Sequence, residues 1–316
     1  MLNMPIKECL RMAIYYAPRG RMRLYALAGE LSQKYLYPTD LLIGIIGAEG
    51  SGKSTLIKGL FPGLELTNDD EGINKRSAPI FDFSEGDYFS GHTFHIDVRY
   101  ELAFHQLHEI VEAVRTVLTA RRRVIVEHFD LIYRMLGFNA QIIFGIGEEV
   151  RVYRPSVFGP SPLKIKKVAD DNLKFRLMAH SAEDIVGKLL KDDYGIDLGN
   201  QHSDVRHGFI IGFNEKPAID LEELEAKALA VIRKDIPIAP SDGDFILMGD
   251  ELFHCTGKRI HVKRSSHIEN FRLMKDYKYD PASRKYLLVG IVGEEAIEIF
   301  DELPPVSAGI RDFDLH

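Results

Sequence analysis

The chain has 316 residues, 45% hydrophobic and 28% charged, with a formal net charge of −7. That apolar content is ample for packed cores, which excludes disorder along the whole length. Two cysteines, Cys9 and Cys255, are too few for a disulfide scaffold and read as reduced thiols. The length exceeds what one core usually serves, so two domains are expected. No apolar run approaches a membrane span, and the first residues lack a signal-peptide block, which predicts a cytoplasmic protein. The excess of acid lies in residues 161–316, and neither half is basic enough for a general nucleic-acid surface. Lys258, Arg259, Lys263 and Arg264 make one local basic run, read as a solvated hairpin.

In chain order, the opening forty residues read as helical. Cys9, Leu10, Ala13 and Ile14 recur at helical spacing, Pro18-Arg19-Gly20 breaks the pattern, and a second helix covers about Met22 to Tyr35. Leu41 to Gly47 is a continuous apolar run, as in a strand buried on both faces. Leu64 to Glu71 looks like a second strand ending in acids. A long helix follows at about Arg99 to Ala120, and Val124-Ile125-Val126-Glu127 is another buried strand. Strands alternating with helices of this length imply a parallel sheet. Pro155 to Pro162 is rich in breakers and reads as a linker. Beyond it, helices at about 180–191 and 220–234 mix with short strands at 208–213, 245–248 and 286–289, an α+β texture. The predicted organisation is a helical segment over 1–40, an α/β domain over 41–160 and an α+β domain over 161–316.

Gly47-Ala48-Glu49-Gly50-Ser51-Gly52-Lys53-Ser54 is a full match to G-x-x-x-x-G-K-[ST], placed between a buried strand and a helix that begins Ser54-Thr55. Glycines let such a loop curl so that successive N–H groups face a phosphate, and the helix N-terminus adds partial positive charge. Gly47, Glu49, Gly50, Ser51, Gly52, Lys53, Ser54 and Thr55 are thus the expected nucleotide-binding residues. Lys53 would reach the β- and γ-phosphates, and the Ser54 hydroxyl would hold Mg²⁺. Asp69 or Asp70 could take a proton from an acceptor hydroxyl or help hold the metal; a solvated acidic turn is the plainer reading. Glu127 ends its strand where an acid would polarise a metal-bound water. His92, His95, His105 and His108 lack cysteine partners and read as surface or substrate-loop histidines.

In the second half, His180 and Asp184 are i,i+4 neighbours on one helix face, and His254, Cys255 and His261 surround a turn. A His180/Asp184/Cys255/His261 zinc site is chemically reasonable, set against a simple Asp184–Lys188 pair.

From Leu41 to Tyr133 the chain resembles the uridine kinase/phosphoribulokinase branch of P-loop kinases. The likeness rests on the glycine-rich loop, the acids Asp69 and Asp70, and the strand ending in Glu127. In that family an acid after the second strand is the general base, which the resemblance puts on Asp69 or Asp70. After Tyr133 the arginine-rich lid helix of those kinases is missing, and so is an N-K-x-D guanine signature. ATP is therefore the expected nucleotide. From about Leu177 to Gly293 the chain resembles the second additional domain of alanyl-tRNA synthetases, the editing domain shared with threonyl enzymes. The likeness runs through Ala179 to Asp184, Gly208 to Phe213, Phe253-His254-Cys255 and Ile260-His261-Val262. It implies zinc on the histidine pair, the cysteine and the last histidine, in a pocket that hydrolyses mischarged aminoacyl-tRNA. Here Asp184 replaces the second histidine, and Cys255 to His261 is two residues longer than in that family, so His254 is an alternative ligand. The fold expected is an α/β P-loop NTPase domain followed by an α+β editing-like domain. The activity expected first is an ATP-dependent phosphotransferase or ATPase whose second domain binds a small-molecule or tRNA-like acceptor. A non-catalytic nucleotide switch and an ATP-regulated, zinc-dependent deacylase follow.

Overall fold

Apolar runs without polar interruption become the central strands here, because helices cover both their faces. The computed structural model describes residues 10–67, 78–83, 93–155, 159–198 and 202–293. The chain divides into two units, Met1–Lys174 and Phe175–His316. The molecule is an α/β protein with one mixed sheet and further antiparallel sheets.

In the first unit, β1 (Met12–Tyr16), β2 (Leu42–Gly47), β3 (Thr93–Asp97), β4 (Arg123–Glu127), β5 (Ile142–Ile146) and β6 (Glu149–Tyr153) form a sheet in the order β1-β6-β5-β2-β4-β3. β3, β4, β2 and β5 are parallel; β6 and β1 add antiparallel at one edge. Strand alternation sends Ile43, Ile45, Ile125 and Phe144 to one face, against Leu24, Ala28 and Leu31 of α1 (Arg21–Tyr35) and Leu56, Ile57 and Leu60 of α2 (Lys53–Leu60). Gly59 permits the close α1–α2 approach, since a Cβ there would come within 2.5 Å of the Ala28 Cβ and the Tyr25 carbonyl. The other face buries Leu42, Ile46, Phe94, Ile96, Val124 and Val126 against Ile110, Val114 and Val117 of α4 (Leu107–Thr119).

The sequence expectation differs from the structure in four places. Met12–Tyr16 is a strand rather than a helix, because its backbone pairs in register with β6, Met12 opposite Tyr153 and Tyr16 opposite Glu149. The long helix from Arg99 is broken into α3 (Val98–Glu101) and α4, and at the second start the Glu109 carboxylate accepts from the Gln106 N–H. Leu64 to Thr67 form no strand, and Asp69 and Asp70 lie outside the described residues. Pro155 to Pro162 comes before the division at Lys174 rather than at it. Pro162 starts α6 (Pro162–Tyr194), which follows α5 (Tyr133–Leu136) and runs through the division.

One buried ion pair ties the sheet edge to the β2 entry. Arg154 grips both carboxylate oxygens of Asp40 at 2.9 and 2.7 Å and donates to the Tyr35 carbonyl. The Asp40 and Arg154 side chains are only 3% and 10% exposed, so losing one partner strands the other's charge. Arg154→Ala is expected to destabilise the first unit by about 3–5 kcal/mol in urea unfolding. A change within about 0.5 kcal/mol, as at an ordinary surface site, would contradict this.

In the second unit, β12 (Arg272–Leu273), β14 (Lys285–Ile291), β8 (Gly208–Phe213) and β7 (His202–Val205) pair in that order, with β13 (Lys278–Asp280) also on β14. A separate antiparallel sheet contains β9 (Ile238–Pro240), β10 (Phe245–Met248) and β11 (Glu251–His254). The core gathers Met178, Ala182, Ile185 and Val186 of α6, Phe209 and Ile211 of β8, and Leu224, Ala228 and Ile232 of α7 (Leu221–Arg233). Asp220 caps α7, its carboxylate accepting from the Glu222 and Glu223 N–H groups.

Candidate functional site

The glycine-rich loop joins the end of β2 to the start of α2. Gly52 stands at φ 97°, a left-handed conformation that residues with a Cβ rarely adopt. The Ser51 N–H donates to the Ala48 carbonyl, and the Leu56 N–H donates to the Gly52 carbonyl as α2 begins. Ser54 and Thr55 lie in the first turn of α2, half-buried. Lys53 folds back over the loop: its Nζ donates to the Ala48 carbonyl at 3.1 Å and faces Glu127 at 3.8 Å. Glu49 is exposed and reaches Arg99, also exposed, at 3.8 Å, a pair of little energetic weight.

Parallel register aligns the ends of three strands beside this loop. Ile45 of β2 lies next to Glu127 of β4, and Glu127 lies next to Asp97 of β3. Phe94 and Ile96 face the α4 core, so alternation turns His95 and Asp97 to the side of the sheet covered by α2. The Thr67 N–H donates to His95 Nδ1 at 3.1 Å. A backbone N–H can only donate, so the ring proton sits on Nε2 and is given to Glu127 Oε1 at 3.1 Å. Glu127 is therefore held from behind by His95 and faced in front by Lys53.

Asp97 caps α3, accepting from the Tyr100 N–H at 3.1 Å. His128, just past β4, has left-handed φ 56° and is 9% exposed. Burial, then the Lys53 charge, pushes its imidazole below the usual range. Glu101 is buried, and desolvation raises its carboxyl despite His105 at 3.6 Å.

Arg123 and the remaining described histidines of the first unit lie elsewhere. Arg123 begins β4, at the far end of that strand from Glu127, and donates to the Asp40 and Tyr37 carbonyls. His105 stacks on Phe81, and His108 is exposed. His92 lies outside the described residues.

The second unit brings its four suspected ligands together. His180, Asp184, Cys255 and His261 each offer an atom within 4.8 Å of the others. Two are one turn apart on α6; two flank the turn after β11. The His180 Nδ1–H donates to the Ile260 carbonyl at 3.1 Å, and the His261 Nδ1–H to the Lys258 carbonyl at 3.3 Å. Carbonyls only accept, so both rings turn Nε2 lone pairs inward, the arrangement a metal ion needs. His180 Nε2 lies 3.2 Å from the Cys255 sulfur, and His261 Nε2 lies 2.8 Å from Asp184 Oδ2. That last contact sets acceptor against acceptor unless a proton or a cation lies between. Burial raises the Asp184 carboxyl, but His180 and His261 outweigh it and bring it to about 2. Burial and Asp184 push the Cys255 thiol up. Ser181 braces the site, donating to the Leu177 carbonyl and accepting from the Val262 N–H.

The geometry also selects among the alternatives. Lys188 pairs with Asp192 and Glu251, not with Asp184. His254 is exposed with its ring against Phe245, so His261 is the fourth donor. Between Cys255 and His261 the chain turns, the Ile260 N–H returning to the Gly257 carbonyl. Lys258 and Arg264, from the basic run, hold the Ser241 and Gly243 carbonyls and Asp235.

No protein-family model matches the chain, and no curated protein matches it. Function is therefore argued from geometry. Among the described residues, no helix is long and apolar enough to cross a membrane. Asp97 and His128 escaped the sequence reading, and His95, read there as a surface or substrate-loop histidine, is instead buried behind Glu127. The alternation Thr93-Phe94-His95-Ile96-Asp97 was the available signal, two polar residues on one face of an otherwise apolar strand.

Proposed function

We propose that the first unit binds ATP with Mg²⁺ and catalyses transfer or hydrolysis of the γ-phosphate. The observation that carries this is the loop of β2 and α2 set beside the acid-bearing end of the adjacent parallel strand β4, with Lys53 held between them. The strand order β3-β4-β2-β5, with β4 next to the loop strand, supports a P-loop kinase arrangement over a chance glycine turn. Backbone N–H groups from Gly50 to Thr55 would cradle the phosphates, and Lys53 would leave the Ala48 carbonyl to neutralise charge on the β- and γ-oxygens. Ser54 would supply its hydroxyl to Mg²⁺, with Glu127 behind it, kept in place by His95. The resemblance assigns the base to Asp69 or Asp70 as acids that end a second strand, a support that weakens because Leu64 to Thr67 form no strand.

For the second unit we propose an editing-domain-like module that binds or senses the acceptor, stabilised by Zn²⁺ on His180, Asp184, Cys255 and His261. The donor set fits zinc: one sulfur, two imidazole nitrogens and one carboxylate, buried, with both rings fixed by carbonyls. Four protein donors are the closed, tetrahedral arrangement of a structural zinc ion.

Calorimetry of the full chain with ATP and GTP in the presence of Mg²⁺, followed by a radiolabelled acceptor screen, tests the reading. Micromolar ATP binding with weaker GTP binding, and label moved to an acceptor or to water, is expected. Absence of heat with both nucleotides would reject it. Acceptor-independent binding with no label moved would select the nucleotide switch.

A further inference from the structure

Asp97, Glu127 and His128 are three ligand-type side chains whose donor atoms lie within 4.8 Å of one another. They are 8%, 2% and 9% exposed. Asp97 and Glu127 end neighbouring parallel strands in direct register, and His128 follows at once in a left-handed step. The His128 ring is largely buried, and one of its nitrogens lies within 4.8 Å of both carboxylates, so three donors of ligand type face one point beside two strand ends. Two buried carboxylates this close together carry negative charge that a cation offsets.

We propose that Asp97, Glu127 and His128 bind a divalent transition-metal ion, Mn²⁺ in particular, and that the Lys53 ammonium stands in for it until a nucleotide draws Lys53 away. The donor set is two carboxylates and one imidazole. Carboxylates suit Mg²⁺ and Mn²⁺ alike, whereas the imidazole nitrogen shifts preference from Mg²⁺ toward a transition metal. Lys53 is the cation at 3.8 Å from Glu127 in this state. When it moves to phosphate, Glu127 loses its nearest ammonium, and a divalent ion restores the charge. The ion is additional to the Mg²⁺ carried on the nucleotide by Ser54. It lies on the Asp97 and His128 side of Glu127, so the centre becomes a two-cation site sharing that acid. The ion site stands on the three side chains alone; its coupling to Lys53 rests on the nucleotide reading above.

The test uses the full chain loaded with a single equivalent of Zn²⁺, which the cysteine-containing four-donor set of the second unit takes first, and titrated with Mn²⁺ while free ion is read by electron paramagnetic resonance. Lys53→Met is expected to bind one Mn²⁺ at least ten-fold more tightly than the unsubstituted chain, without nucleotide. Adding His128→Asn should weaken that binding ten-fold or more; Asn tolerates the left-handed backbone, so the fold should be kept. Asp97→Asn is the second probe, since Asn still caps α3. Equal Mn²⁺ affinity with and without His128→Asn and Asp97→Asn, in proteins with unchanged circular dichroism, would overturn the site. If Lys53→Met leaves Mn²⁺ affinity unchanged while His128→Asn lowers it, the stand-in role of Lys53 is overturned. Failure of ATP to bind, with the Mn²⁺ pattern intact, would sink the nucleotide reading and leave the ion site.

Discussion

Replacing Lys53 with methionine is expected to lower kcat/KM for γ-phosphate release at least 100-fold while leaving the first unit folded. The size follows from where the charge is used. A positioned donor facing charge that develops in a water-poor site is worth roughly 10²–10³ in rate. Lys53 is 8% exposed, so its ammonium is largely shielded from solvent, and its acidic neighbour is Glu127 at 3.8 Å. Methionine keeps most of the stem's volume, and the glycine conformations that shape the loop do not depend on the ammonium. Circular dichroism should change little, the melting point should fall because Glu127 loses its nearest ammonium, and turnover and ATP heat should collapse well beyond that loss of stability. Turnover within threefold of the unsubstituted chain would show that the loop does not act on a triphosphate.

The parts of the fold legible in sequence are those whose local preference agrees with their packing. Leu42–Gly47 and Arg123–Glu127 are uninterrupted apolar runs covered on both faces, and Leu221–Arg233 has its aspartate cap and helical period. Met12–Tyr16 was misread because Leu10, Ala13 and Ile14 also fit a helix. Only pairing with Glu149–Tyr153, far along the chain, decides for a strand. The start of α6 was missed because Lys164, Lys166, Lys167, Asp170 and Asp171 mask the apolar period there. Site residues behaved alike. Lys53 and Glu127 are signalled by position within a motif or at a strand end. His95, Asp97 and His128 become neighbours of Glu127 only through parallel register and a left-handed step, which no local pattern encodes. The second unit's donors were readable as pairs, His180 with Asp184 and Cys255 with His261. Choosing His261 over His254 required the turn between them.

Removing the proposed metal from that second site is expected to cost the second unit about as much stability as Arg154→Ala costs the first. The donors come from α6 and from the turn after β11, two segments that meet inside one core, so an ion there joins elements far apart in sequence. Without it, Asp184 and His261 face each other as acceptors at 2.8 Å, and a proton must be recruited to separate them. An ion that binds the folded arrangement and not the open chain adds about 4 kcal/mol at a free concentration 1,000-fold above its dissociation constant. For a unit of this size each kcal/mol moves the melting point by roughly 2–4 °C. Chelation should therefore lower the melting point of the second unit by about 10 °C in calorimetry, and added Zn²⁺ should restore it. Cys255→Ala should reproduce the chelated value and be insensitive to zinc, whereas His254→Ala should behave as the unsubstituted chain. Because the Cys255 thiol must release its proton to the ion, zinc affinity should rise with pH. Elemental analysis showing no bound metal, together with a melting curve indifferent to chelator, would mean that these four side chains hold one another and nothing else.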